Sequence, residues 1–85
     1  MSETIQKIKK ILVYQTNIDE NKILIDADLV NDLGLDSLDT VEVIANIEAE
    51  TGLNIPLKDA EAWKTLKDIA AYVETRTLEN KKVGD

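Results

Sequence analysis

The sequence predicts an all-α fold: a small four-helix bundle of three main helices and one short helix, with a long loop between the first and second. Three observations carry that prediction. Aliphatic residues recur at helical spacing near both ends, as Ile5, Ile8, Ile11 and Leu12 and as Leu66, Ile69, Ala70 and Val73. No two runs of alternating apolar and polar residues offer a strand pair. The chain has 85 residues, with ten Ile, ten Leu and six Val. That is enough for one core without disulfide or metal and too little for a second, so residues 1–85 are expected to form a single domain.

Taken in order, the first stripe places an amphipathic helix over Glu3–Thr16. Residues 17–36 form a long connection that holds Ile18, Ile23, Ile25, Leu29, Val30, Leu33 and Leu35. So many aliphatics predict a loop pinned to the core. Gly34 precedes a second helical segment over Ser37–Thr51, which Gly52 ends as a left-handed cap, and Pro56 blocks an immediate restart. Residues 58–62 read as one short helical turn. Thr65, three residues before Asp68, reads as the capping pair that opens a last helix over 65–77. Residues 78–85 offer little to bury and are expected to fray.

Composition excludes much chemistry. There is no cysteine and no histidine, so thiol nucleophiles, thiolate or imidazole zinc sites and a Ser-His triad are out of reach. Seventeen acids against ten bases give a net charge of −7, which opposes binding to phosphate backbones or anionic lipid. No run is apolar enough for a signal peptide or a membrane span, and a cytoplasmic protein is the default. The acidity is concentrated: residues 23–57 hold eight carboxylates and no base. Such a one-sign region suits either a solvated face or a surface that meets a basic partner.

The second helix sharpens that choice. At about 100° per residue, Val43, Ile44 and Ile47 share one face, while Leu38, Val41 and Ala45 lie nearly opposite. A small bundle cannot bury both. The second strip is edged by Asp39 and Glu42 on one side and Glu48 on the other, the pattern of an interface with an apolar centre and charged rails. The plainer account is that Leu38 or Val41 folds under the long loop. Ser37 opens this helix between Asp36 and Leu38. It suits a helix cap, and it also places a hydroxyl beside free backbone N–H groups, where an attached phosphodiester would be stabilised. No base stands nearby in sequence, so Ser37 reads as a group that another enzyme modifies.

The run Asp32-Leu33-Gly34-Leu35-Asp36-Ser37-Leu38-Asp39-Thr40-Val41-Glu42 resembles the signature of stand-alone type II acyl carrier proteins. The likeness extends to Ala27-Asp28-Leu29-Val30, to Ile55-Pro56 and to Thr65-Leu66. The resemblance implies that Ser37 carries 4′-phosphopantetheine donated by coenzyme A, and that residues 1–85 are one acyl-carrier domain. It implies a recognition helix over Ser37–Thr51 whose contacts fall on Asp36, Leu38, Asp39, Val41, Glu42, Ala45 and Glu48. The implied partners are a phosphopantetheinyl transferase, acyl transferases and ketoacyl synthase-type enzymes with basic docking patches. The chain itself would be a monomeric carrier rather than an enzyme, holding acyl intermediates of fatty-acid or related lipid or polyketide synthesis as thioesters, with no metal, nucleic acid or membrane insertion.

Three positions depart from the family pattern. Trp63 stands where a smaller aliphatic residue is usual, and either fills the core or narrows the space for an acyl chain. Leu35 replaces a common alanine, and Ala49 a common acid. These differences leave room for a carrier of a specialised pathway. Other readings are a peptidyl carrier, against which Asp36 stands where histidine is typical; a D-alanyl carrier; and an acidic adaptor that is never modified. A calcium loop among the acids of residues 26–39 lacks the EF-hand spacing and glycine.

Overall fold

The computed structural model describes residues 3–83, with side chains over 3–79. Four helices follow in order: α1 (Glu3–Thr16), α2 (Ser37–Thr51), α3 (Leu57–Ala60) and α4 (Leu66–Val83). α1 packs against both α2 and α4, and α3 sits against α2. Among the described residues there is no strand, only an isolated antiparallel bridge between Asp28 and Thr65. The centre of the core draws on every long helix and on the first loop: Ile8 and Leu12, Ile47, Leu66 and Ile69, and Ile23 are fully buried. No polar or charged side chain is buried with them among the described residues.

α1 and α2 have the predicted bounds. α1 stops because Asn17 turns to φ 60°, a left-handed conformation that asparagine tolerates, and its N–H reaches back to the Val13 carbonyl at 2.8 Å. Gly52 closes α2 at φ 75°, its N–H bonded to the Glu48 carbonyl at 2.8 Å. A side chain there would be strained, which is why glycine marks the boundary.

The long connection is pinned to the core as predicted, through Ile23, Ala27, Leu29, Leu33 and Leu35. Ile18 is half-buried, whereas Ile25 and Val30 point to solvent, so fewer of its aliphatics turn inward than composition suggests. It also contains a 3₁₀ turn at Glu20–Lys22, opened by the Asp19 carboxylate accepting from Asn21 N–H. The loop is stapled to the start of α4 by two backbone bonds, Leu29 N–H to Lys64 carbonyl (2.9 Å) and Lys67 N–H to Ile25 carbonyl (2.8 Å). Asp28 organises the turn between them, its Oδ1 accepting from the N–H groups of Val30 and Asn31.

α3 begins one residue before and ends two residues before the expected 58–62; Pro56, with φ −64°, is its N-cap residue, so the helix starts at Leu57. α4 opens as predicted. Thr65 Oγ1 accepts from Asp68 N–H at 3.2 Å, and the Asp68 carboxylate accepts from the N–H groups of Lys64 (2.9 Å) and Thr65 (3.1 Å). The far end differs: α4 runs to Val83, six residues beyond the expected end at Thr77. The apolar stripe stops at Val73, but no glycine or proline follows until Gly84, so the backbone has no reason to leave the helix. Of the tail expected to fray, 78–83 is helical, and Gly84 and Asp85 lie outside the described residues.

Three carboxylates hold the helix starts and the loop, and each is more acidic than usual because backbone N–H groups stabilise its charge. The chief donors are Asn31 for Asp28, Asp36 for Asp39 and Lys64 for Asp68. Their folded pKa values lie below the ordinary 3.8. Their contribution is therefore fully present above that pH and is lost as pH falls through the lower, folded values. The thermal midpoint should be flat from neutrality to about pH 5 and decline below it, with Asp68→Asn weakening that acid limb. A decline that began well above pH 5 would assign the effect to other groups.

Candidate functional site

The site is built at the first turn of α2. Two good capping residues stand side by side there, Asp36 and Ser37, and Asp36 takes the role. Its Oδ1 accepts from Asp39 N–H at 2.8 Å, while Asp39 Oδ2 accepts from Asp36 N–H at 3.2 Å, a reciprocal capping box. Ser37 is thus the first helical residue and not the cap. Its side chain is exposed, and its hydroxyl makes no hydrogen bond to any described residue. The capping box uses the N–H of Asp39, and the N–H groups of Ser37 and Leu38, which have no intrahelical acceptor, remain at the positive end of the helix.

The rest of α2 presents two faces, as the wheel predicts. Val43 and Ile47 are 2% and 1% exposed and turn into the core, whereas Leu38 and Val41 are 67% and 47% exposed. Ala45 lies with them in solvent, and so does Ala49, which extends the strip by a turn. Neither Leu38 nor Val41 folds under the long loop.

The acidic rails are less uniform than the sequence suggests. Glu42 is exposed at the edge of the strip. Asp39 is half-buried, and its carboxylate is shared between the capping box and Gln15 of α1, whose Nε2 donates to Asp39 Oδ1 at 3.0 Å and to Glu42 Oε1 at 2.6 Å. Glu48 belongs to the fold: its Oε2 accepts from Ile55 N–H at 2.8 Å and holds the loop that leads to α3. Gln15 had no local signal, because it lies 24 residues from Asp39 in sequence.

Behind Ser37, a cavity of about 40 Å³ opens among Leu29, Leu35, Thr40, Val43, Trp63 and Ile69. Trp63 packs against the core, as the first sequence reading has it, and also lines this space. Its indole Nε1 is shielded from solvent and has no hydrogen-bond partner. The ring meets Tyr72 edge-on, with centroids 5.4 Å apart. Tyr72 is held in turn: its hydroxyl donates to Asp59 Oδ2 at 2.7 Å and accepts from Arg76 Nη1 at 2.6 Å. Burial, reinforced by the Asp59 hydrogen bond, raises the Tyr72 pKa above its ordinary value. Arg76 also donates to the Asn54 carbonyl at 3.2 Å, so one α4 side chain ties both ends of the α3 region.

Among the described residues, no three carboxylates converge as a metal site, and no helix is long and apolar enough to cross a membrane. The first turn of α2 does fit a tethered phosphodiester. The Ser37 hydroxyl is open to an incoming group, the N–H groups of Ser37 and Leu38 have no acceptor within the helix and could serve an anion there, and the nearest carboxylates are turned into backbone hydrogen bonds.

Comparison with known proteins agrees with this geometry. A family model described as "Phosphopantetheine attachment site" matches residues 6–73. The chain is also similar to an acyl carrier protein of Bdellovibrio bacteriovorus, 44% identical over 70 residues that cover 82% of this chain and 90% of that protein. With a four-helix fold that displays Asp36-Ser37-Leu38 at the exposed start of its second long helix, this chain belongs to the acyl carrier proteins, the family that bears phosphopantetheine.

Proposed function

We propose that Ser37 is the attachment residue for 4′-phosphopantetheine and that α2 docks the enzymes that load and process the cargo. The chain then serves as a monomeric, cytoplasmic carrier of acyl intermediates in fatty-acid or related lipid or polyketide synthesis, and catalyses nothing itself. When bound, the prosthetic group supplies the thiol that the sequence lacks. The protein supplies the tether, the docking face and the helix N–H groups near the anion. The observation that most supports this reading is the free, exposed Ser37 hydroxyl on the same helix as the exposed Leu38–Val41–Ala45 strip. A phosphopantetheinyl transferase, acyl transferases and ketoacyl synthase-type enzymes with basic patches are the matching partners.

Intact mass after incubation with coenzyme A and a phosphopantetheinyl transferase tests the assignment. A single pantetheine-phosphate adduct is the expected result, and an unmodified chain would favour the acidic adaptor instead.

Glu42 is the cleanest probe of steering, because it is exposed and takes no part in the capping box. Glu42→Lys should slow modification severalfold at low salt with the fold intact, and the wild-type rate should fall as salt rises. Equal rates for the two proteins at low ionic strength would remove Glu42 from the docking face. Reversing Asp39 as well confounds the measurement, since loss of the capping box costs about 1 kcal/mol of stability.

A further inference from the structure

The cavity behind Ser37 is bounded by α2, the long loop and the start of α4, and its lining is apolar apart from Thr40. Thr40 and Val43 lie about one and two turns along α2 from Ser37, so this space is close to the attachment point and within reach of an acyl group carried on an arm there. At about 40 Å³ it is small. One water needs about 10–15 Å³ on this measure, and a cavity that takes benzene is about 150 Å³. By either comparison the space suits no more than about two or three non-hydrogen atoms.

Trp63 is the bulky residue of that lining, and it is braced. Its edge contact with Tyr72 fixes the ring, and Tyr72 is held at its hydroxyl by Asp59 from α3 and by Arg76 from its own helix. A second hollow, about 360 Å³, lies toward the opposite end of α2, beside Glu50 and Thr51, with Glu3, Lys7 and Thr77 on its rim. It stands about 20 Å along the helix from Ser37 and does not enlarge the first space.

We propose that Trp63 closes the interior of this carrier to long acyl chains, so that the bundle shelters no more than about two or three non-hydrogen atoms of cargo and leaves the remainder of a longer chain in solvent. The proposal rests on the reading that Ser37 carries the acyl arm. It assigns the carrier to short acyl groups, or to chains that partner enzymes meet exposed.

The test uses the whole chain, wild type and Trp63→Leu, loaded with acetyl or octanoyl pantetheine-phosphate from the corresponding acyl-coenzyme A. Loading is verified by intact mass. Sheltering is read as protection of the thioester from hydroxylamine, relative to the free acyl-pantetheine, and as a rise in the thermal midpoint of the octanoyl over the acetyl form. Wild-type octanoyl protein should be protected no better than the acetyl form and should melt with it, whereas octanoyl Trp63→Leu should be protected severalfold more than acetyl Trp63→Leu and melt higher. Trp63 is the only tryptophan, so its emission in the wild type should shift no further with octanoyl than with acetyl.

Severalfold greater protection of octanoyl than of acetyl in the wild type overturns the proposal, even if Trp63→Leu does not fold. A folded Trp63→Leu that leaves octanoyl unprotected overturns the role of Trp63. No mass gain overturns the Ser37 reading as well, and so separates the two failures.

Discussion

Ser37→Ala should abolish attachment of the prosthetic group, leaving the intact mass at its unmodified value, while the domain folds as before. The structure sharpens the second half of that expectation. Ser37 is not the helix cap; Asp36 is, in a reciprocal box with Asp39. Ser37 is exposed, its hydroxyl bonds nothing among the described residues, and alanine is the best helix former. The stability change should therefore stay within about 0.5 kcal/mol. In a domain of this size that moves the melting temperature by no more than about 4 °C.

Asp36→Ala should instead lower stability. Loss of the cap costs about 1 kcal/mol and about 4–8 °C, with the hydroxyl still present to be modified. The only other serine is Ser2, so Ser37→Ala that still gains the pantetheine mass would move the site to Ser2 or to a threonine.

How far the sequence could carry these conclusions differs from place to place. Helix bounds were legible where a local signal marks them. The Ile stripe and the left-handed cap at Gly52 delimit α1 and α2, and the Thr65–Asp68 pair opens α4. The end of α4 was not legible, because the apolar stripe stops at Val73 while helix-forming residues continue to Val83. The division of labour between Asp36 and Ser37 was ambiguous for a physical reason: both residue types cap well, and the acid at position 39 decides. The two faces of α2 follow from periodicity alone. The uses of its acids do not. Gln15 meets Asp39 and Glu42, and Glu48 reaches the backbone of Ile55, through contacts that exist only once the chain has folded. The brace of Asp59, Tyr72 and Arg76 behind Trp63 is of the same kind, since only its i, i+4 half lies within one helix.

The two faces of α2 give the second large contrast. Ile47→Ala removes a side chain that is 1% exposed at the centre of the core. Transfer and cavity terms together should cost about 2–5 kcal/mol, a large share of the roughly 5–15 kcal/mol that holds a domain of this kind together. Leu38→Ala and Val41→Ala remove side chains that are 67% and 47% exposed, so little packing is lost, and alanine matches or exceeds both residues in helix propensity. Their melting temperatures should stay within a few degrees of wild type.

At a partner enzyme the order reverses. An apolar side chain at the centre of an interface is worth about 1–2 kcal/mol when truncated, which converts to a loss of about five- to thirtyfold in kcat/KM for loading or elongation. The measurement is a pair of columns, melting temperature and partner kinetics, for the three variants. If Leu38→Ala and Val41→Ala unfold the domain as readily as Ile47→Ala, the strip belongs to the core. If they stay folded and are loaded and elongated at wild-type rates, the exposed strip is only a solvated face. A docking surface requires both halves at once: stability retained and partner turnover lost, from side chains one turn apart beside Ser37.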